Sequence, residues 1–181
     1  MNPCSSTPSM RSFLPSAFLA IGVLAACEPR QAVLSVDEKT ALADSLKRQV
    51  AAAYDFSRSN VAANLMSLYP DTGRVVAAAA GRVTTSGDSL RHYIAAFWAS
   101  VGRNMRNPEW IWEESHVDVL SPDAAVMTAT YRIPHTTPAG APHEISGAWT
   151  AVFVRRDERW VIVQEHLSDA PEHPRVPIPT K

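Results

Sequence analysis

The sequence predicts an α+β domain, with helices laid on one face of an antiparallel sheet. Two observations predict it. The order of elements is helix, helix, strand, helix and then strands to the end, with apolar residues at helical spacing in the early segments. The last third alternates β-branched and aromatic residues with polar ones, punctuated by turn-forming pairs. A chain of 181 residues with net charge −1 and pI ≈ 6.6 has room for one core. It carries no basic or acidic run suited to nucleic acid.

The elements follow in order. Residues 12–26, SFLPSAFLAIGVLAA, form an apolar stretch after Arg11 that is too short for a stable membrane span. It ends in Leu24-Ala25-Ala26-Cys27 and resembles a bacterial lipoprotein signal with its lipobox. This implies an exported protein, cut before Cys27 and held by lipid on that residue. Met10, directly before Arg11, offers a second start for the same signal. Cleavage removes Cys4, so the mature chain keeps one lipid-bearing thiol and no disulfide. Glu28 lacks the aspartate that retains enteric lipoproteins in the inner membrane, so the expected location is the periplasmic side of the outer membrane.

Residues 27–35 are a tether, and Ser35-Val36-Asp37-Glu38 has capping-box spacing. Leu42, Leu46, Val50, Ala53 and Ser57 then place a helix at about 36–57. Asn60 is positioned to cap a shorter helix carrying Val61, Leu65, Met66 and Tyr69, stopped by Pro70 and Asp71-Thr72-Gly73. Residues 75–85 read as a strand broken or bulged at Gly81. Asp88 is placed to cap a third helix with an apolar stripe of Leu90, Tyr93, Ile94, Phe97, Trp98 and Val101. Strands follow at 109–120 and 124–133, joined at Ser121-Pro122-Asp123, then at 143–156 and from 159, joined at Asp157-Glu158. Residues 172–181 form a Pro-rich tail.

Three stretches carry a family resemblance: AAAAGRVTTSGDSLRHYIAAFW (77–98), SHVDVLSPDAAVMTATYRI (115–133) and GAWTAVFVRRDERWVIVQEHLSDAP (147–171). They resemble the nuclear-transport-factor-2-like superfamily, in particular its SnoaL-like branch. The last two also resemble the association domain of calcium/calmodulin-dependent kinases. The resemblance spans residues 36–171. It implies a cone-shaped fold, three helices packed on a curved antiparallel sheet, with a ligand cavity on the concave face and a homodimer through the outer face. It does not imply one activity, because the fold hosts enzymes and assembly domains alike.

A two-residue turn at Asp157-Glu158 pairs Phe153 with Ile162, Ala151 with Gln164, Trp149 with His166 and Gly147 with Ser168. The preceding hairpin pairs His116 with Ala129, Glu114 with Tyr131 and Asp118 with Met127. On this reading Gln164, His166 and Ser168 look into a pocket. Trp160 and Ile162 form its packed end, and Tyr54 or Trp98 closes it. The expected lining is Tyr54, Trp98, Trp112, His116, Tyr131, Trp149, Ala151, Gln164, His166 and Ser168. The opposite face, with Thr150, Val152, Val154, Val161 and Val163, is left for a second subunit.

The leading functional reading is a lipid-anchored module that binds a small apolar molecule. The alternative is an isomerase, cyclase or epoxide-opening enzyme, with His166 or Asp118 as base and Tyr54 or Tyr131 as donor. The third is a structural dimer without ligand. No metal-binding spacing, phosphate loop or nucleophile elbow occurs, so no metal or cofactor is expected. His135, at the start of the Pro-rich loop 134–142, and His143, just after it, are expected at the surface.

Overall fold

The structure is a computed structural model and describes residues 33–170. The expected leader, Cys27, most of the tether and the Pro-rich tail lie outside the described residues. Among those described, no helix is long and apolar enough to cross a membrane.

Helix α1 (Val36–Ala53) begins at the expected capping box. The Ser35 N–H donates to Glu38 Oε2 at 2.8 Å and the Glu38 N–H to Ser35 Oγ at 3.3 Å. The helix buries Leu46, Val50 and Ala53 and stops at Tyr54, short of residue 57. The Asp55 carboxylate accepts the Ser57 N–H at 3.0 Å, a local turn that competes with another helical turn. Helix α2 (Val61–Met66) follows Asn60, which caps by a left-handed backbone (φ 63°) and not by its side chain.

The broken strand expected at 75–85 is a hairpin. Strands β1 (Val76–Ala79) and β2 (Arg82–Thr84) are joined at Ala80 (φ 49°) and Gly81 (φ 72°), the mirror-image turn that matches strand twist. Helix α3 (Gly87–Ser100) is capped not by Asp88, which lies in its first turn, but by Ser86, whose Oγ accepts the Ser89 N–H at 3.4 Å. Its stripe is only partly inward: Leu90 is buried and Ile94 and Phe97 pack on the core, while Tyr93 and Val101 are exposed.

After a short 3-10 turn (Gly102–Asn104) come β3 (Ile111–Ser121), β4 (Ala124–Thr136), β5 (Pro142–Arg156) and β6 (Arg159–Asp169). The sheet order is β2-β1-β6-β5-β4-β3, antiparallel except where β1 runs parallel to β6. The three α-helices and this mostly antiparallel sheet form the cone-shaped α+β architecture expected. The core lies on the concave face, where Met127, Ala129 and Tyr131 of β4 meet Trp149, Ala151 and Phe153 of β5.

The register corrects the expected pocket wall. The turn at Asp157-Glu158 has two residues, both at positive φ (49° and 63°), and Phe153 does face Ile162. A β-bulge follows, because Val152 faces Gln164 and leaves Val163 unpaired. One extra residue reverses which side every later side chain takes. Ala151 therefore faces Glu165, Thr150 faces His166, Trp149 faces Leu167 and Ala148 faces Ser168. The β3–β4 hairpin slips in the same way, with irregularities at Leu120 and Glu113. His116 faces Thr128, Asp118 faces Val126 and Glu114 faces Thr130.

Candidate functional site

The bulge at Val163 turns one carboxylate toward the core. Glu165 Oε1 accepts from the Tyr69 hydroxyl at 2.6 Å, and Glu165 Oε2 accepts from Trp149 Nε1 at 3.0 Å. Tyr69 is delivered by the segment after α2 and Trp149 by the middle of β5, both buried. Burial pushes the Glu165 carboxyl above its ordinary range, and the two hydrogen bonds oppose that push in part. The phenols of Tyr54 and Tyr69 are raised well above theirs, first by burial and then by the neighbouring Glu165 charge. Tyr131 is raised to about 12 by burial, with Asp169 adding to it. All three remain neutral hydroxyls at physiological pH.

Above this carboxylate lies a continuous aromatic layer. Tyr54, at the end of α1, sits among three indoles: ring centres lie 4.4 Å away for Trp110, 5.2 Å for Trp112 and 5.9 Å for Trp149. Trp110 stacks on Tyr131 at 4.5 Å and 19°. Phe56 joins Trp110 to Trp98 on α3, at 5.5 Å and 4.9 Å. Such contacts contribute about 0.5–1.5 kcal/mol each beyond area burial. Four donors in this layer, the indole N–H groups of Trp98, Trp110 and Trp112 and the Tyr131 hydroxyl, are buried and find no partner among the described residues. Buried donors are rarely left so, since each costs about 1–3 kcal/mol.

Of the expected lining, Tyr54, Trp98, Trp112, Tyr131, Trp149 and Ala151 belong to the concave side. Gln164, His166, Ser168 and His116 are exposed on the outer face, and so is Asp118. Neither His166 nor Asp118 reaches the aromatic layer, so these candidate bases do not meet the candidate donors Tyr54 and Tyr131. Glu165, Tyr69, Trp110 and Phe56 were absent from the expected set. Trp110 was legible, since it precedes Trp112 by two residues and shares its face. Glu165 was not, because an unbulged strand places it outside.

Two surface grooves lie outside the layer, one of them meeting it at Tyr131. One of about 340 Å³ surrounds Arg132, whose guanidinium meets Glu113 at 3.1 Å and Glu144 at 3.7 Å; Tyr131 and Gly147 form part of its wall. The other, about 680 Å³, runs between the outer side of α1 (Lys39, Ala43, Lys47) and β3 (Val117, Leu120). No cluster of three or more histidine, cysteine or acidic residues that could hold a metal ion occurs among the described residues.

Comparison with known proteins agrees with this architecture. An NTF-2 like protein of unknown function from Shewanella oneidensis MR-1 superposes with TM-score 0.56 at 18% identity, over 70% of this chain and 98% of that one. A candidate scytalone dehydratase from Novosphingobium aromaticivorans gives 0.64 at 14% identity, over 78% and 94%. The association domain of C. elegans CaMKII gives 0.54 at 15% identity, over 73% and 95%. No curated protein matches the chain. At these identities the solved structures show the fold, nuclear-transport-factor-2-like and cone-shaped. The profile of the calcium/calmodulin dependent protein kinase II association domain matches residues 40–171, most of the chain and every helix and strand but the first turn of α1, and the chain belongs to that family.

Proposed function

We propose that this chain is an exported domain, lipid-anchored through Cys27, that binds a small apolar molecule against the aromatic layer between helices and sheet. The observation that carries the reading is the set of four buried donors with no partner among the described residues, set in an otherwise apolar layer of rings. A mostly apolar lining with a few polar groups that orient the guest is the ordinary composition of a small-molecule site. Native mass spectrometry of the protein purified from its own host tests it. A co-purifying small molecule, lost from a Trp110→Ala, Trp112→Ala variant, is expected. Repeated absence of any such molecule overturns the reading. Anchoring is tested separately, by globomycin-sensitive processing and by loss of membrane fractionation in Cys27→Ser.

A second property, self-association, is favoured by the outer face of the sheet. Its centre is small and uncharged, with Thr128, Ala148, Thr150 and Val152 side by side, and Thr128 Oγ1 lies 3.1 Å from Thr150 Oγ1. The family's name describes association, and a flat face of this kind suits a second copy. Light scattering of the purified protein tests it; a monomer across the micromolar range overturns it.

The enzyme reading now rests on one contact, Tyr69 to Glu165 at 2.6 Å. Both carboxylate oxygens are already engaged by donors, so the binding reading stands ahead of it.

A further inference from the structure

The far end of the β4–β5 hairpin places two imidazoles against each other. His135 and His143 are direct cross-strand partners, flanked by Pro134↔Glu144 and Thr136↔Pro142. Their ring centres are 5.0 Å apart with planes at 58°. His135 Nδ1 lies 2.9 Å from the Ile133 carbonyl oxygen. A carbonyl only accepts, so Nδ1 carries the proton and Nε2 keeps its lone pair. That is the arrangement in which a ring nitrogen is prepared for a metal: the other nitrogen is tied to the backbone, which fixes both tautomer and orientation.

The separation has the right size. With a metal–nitrogen bond of about 2.0–2.1 Å, a ring centre lies about 3.2 Å from the ion. Two imidazoles sharing it at angles of about 90–109° then hold their centres about 4.5–5.2 Å apart. The observed spacing falls inside that range without movement of the backbone. The backbone is also held on a third side. Thr136 exchanges hydrogen bonds with Arg106 in both directions, at 2.8 Å and 2.9 Å, and the loop closes through the Thr137 N–H to the Ala141 carbonyl at 2.8 Å. Ligands on strands braced in this way lose little freedom on binding.

We propose that His135 and His143 form a binding site for a divalent transition-metal ion of the imidazole-preferring kind, Zn²⁺, Ni²⁺ or Cu²⁺, with Cu²⁺ held most tightly. Two nitrogen donors leave the remaining coordination positions to solvent or to a donor from another molecule. The ion is therefore exchangeable and not a structural pin. The site is independent of the aromatic layer, and its fate does not depend on the small-molecule reading.

The test uses the full chain with its thiols alkylated, in detergent where it carries lipid. Calorimetry with ZnCl₂ and NiCl₂ and electron paramagnetic resonance with CuCl₂ compare the parent with His135→Gln, His143→Gln and the control His116→Gln. Each hairpin variant is expected to weaken binding at least tenfold, while the control stays within twofold. The parent Cu²⁺ spectrum is expected to show two equivalent-type imidazole nitrogens that fall to one in either variant. Binding within twofold of the parent in His135→Gln or His143→Gln, or an equal loss in His116→Gln, overturns the site. An unchanged thermal melt in both hairpin variants confirms that a loss reads coordination and not folding.

Discussion

Glu165 faces Ala151 across the β5–β6 ladder, and the small side chain there leaves the carboxylate room to take both Tyr69 and Trp149 as donors. The three side chains act as one unit, so their energies do not add. At a pH where Glu165 is ionised, Tyr69→Phe leaves a buried charged acceptor one donor short and is expected to destabilise the fold by about 1.5–3 kcal/mol. The same substitution in a Glu165→Gln background is expected to cost clearly less, because the acceptor it strands is then neutral. Urea denaturation of the four proteins in this double-mutant cycle measures the coupling; additive values sink it.

The same carboxylate gives stability a pH dependence. Its folded-state pKa is raised, with burial as the first cause. The folded chain therefore holds its proton at pH values where the unfolded chain has released it. That stability is fully present below the ordinary glutamate pKa and is lost as pH rises through the folded value. Glu165→Gln removes the effect. The melting temperature of Glu165→Gln relative to the parent is expected to rise steadily from about pH 4 upward. A constant difference across that window shows that Glu165 titrates normally.

How far this site was legible in the sequence depends on one residue. The alternation in 159–167 reads as a strand and is one, its turn has two residues, and Phe153 does stand opposite Ile162. Val163 carries no mark of a bulge: it is a β-branched residue among others, with no glycine beside it. Everything beyond it was assigned to the wrong face, which turned Gln164, His166 and Ser168 inward and hid Glu165. The β3–β4 hairpin failed for the same reason at Leu120 and Glu113. Helical elements are easier, because the spacing of Leu46, Val50 and Ala53 marks the buried face of α1 even though the helix ends at Ala53, well short of residue 57. Tyr54 directly follows that stripe, and its helix ends on it.

Tyr54 is the ring that fills the space among Trp110, Trp112 and Trp149. Tyr54→Ala is expected to cost about 3–5 kcal/mol, the range for removing a large buried ring. The cavity it leaves is apolar on three sides, so phenol or indole at millimolar concentration is expected to restore part of the lost melting temperature. A Tyr54→Ala protein that melts within a degree or two of the parent shows that the layer has collapsed to fill the gap.

Gly147 is a second point at which an added atom meets fixed structure. A Cβ there would run into the Ser168 backbone carbonyl oxygen and come within 2.9 Å of the Tyr131 hydroxyl. The first obstacle is backbone and cannot swing aside. Gly147→Ala is expected to force the β5–β6 ladder apart at its end and to destabilise by about 1–3 kcal/mol. Hydrogen exchange should quicken first at Ala170, whose N–H bonds to the Ser146 carbonyl at 2.7 Å. Unchanged exchange there would mean that the strands can separate slightly without loss.

The outer face offers a test that leaves the concave layer untouched. Ala148 is exposed and stands between Thr130 and Ser168, while the neighbouring Thr128 and Thr150 hydroxyls share a hydrogen bond. A charge at Ala148 costs little in a monomer, where it points into water. In a two-fold pair it is duplicated and desolvated, and breaking such an interface is expected to cost several kcal/mol. Ala148→Glu is therefore expected to halve the mass seen by light scattering at micromolar concentration, while the far-ultraviolet circular dichroism stays unchanged. Thr150→Ser, which keeps the hydroxyl and the flat surface, is expected to leave the mass as it was. A parent that is already a monomer, or an Ala148→Glu protein of parental mass, sinks the pairing of copies through this face.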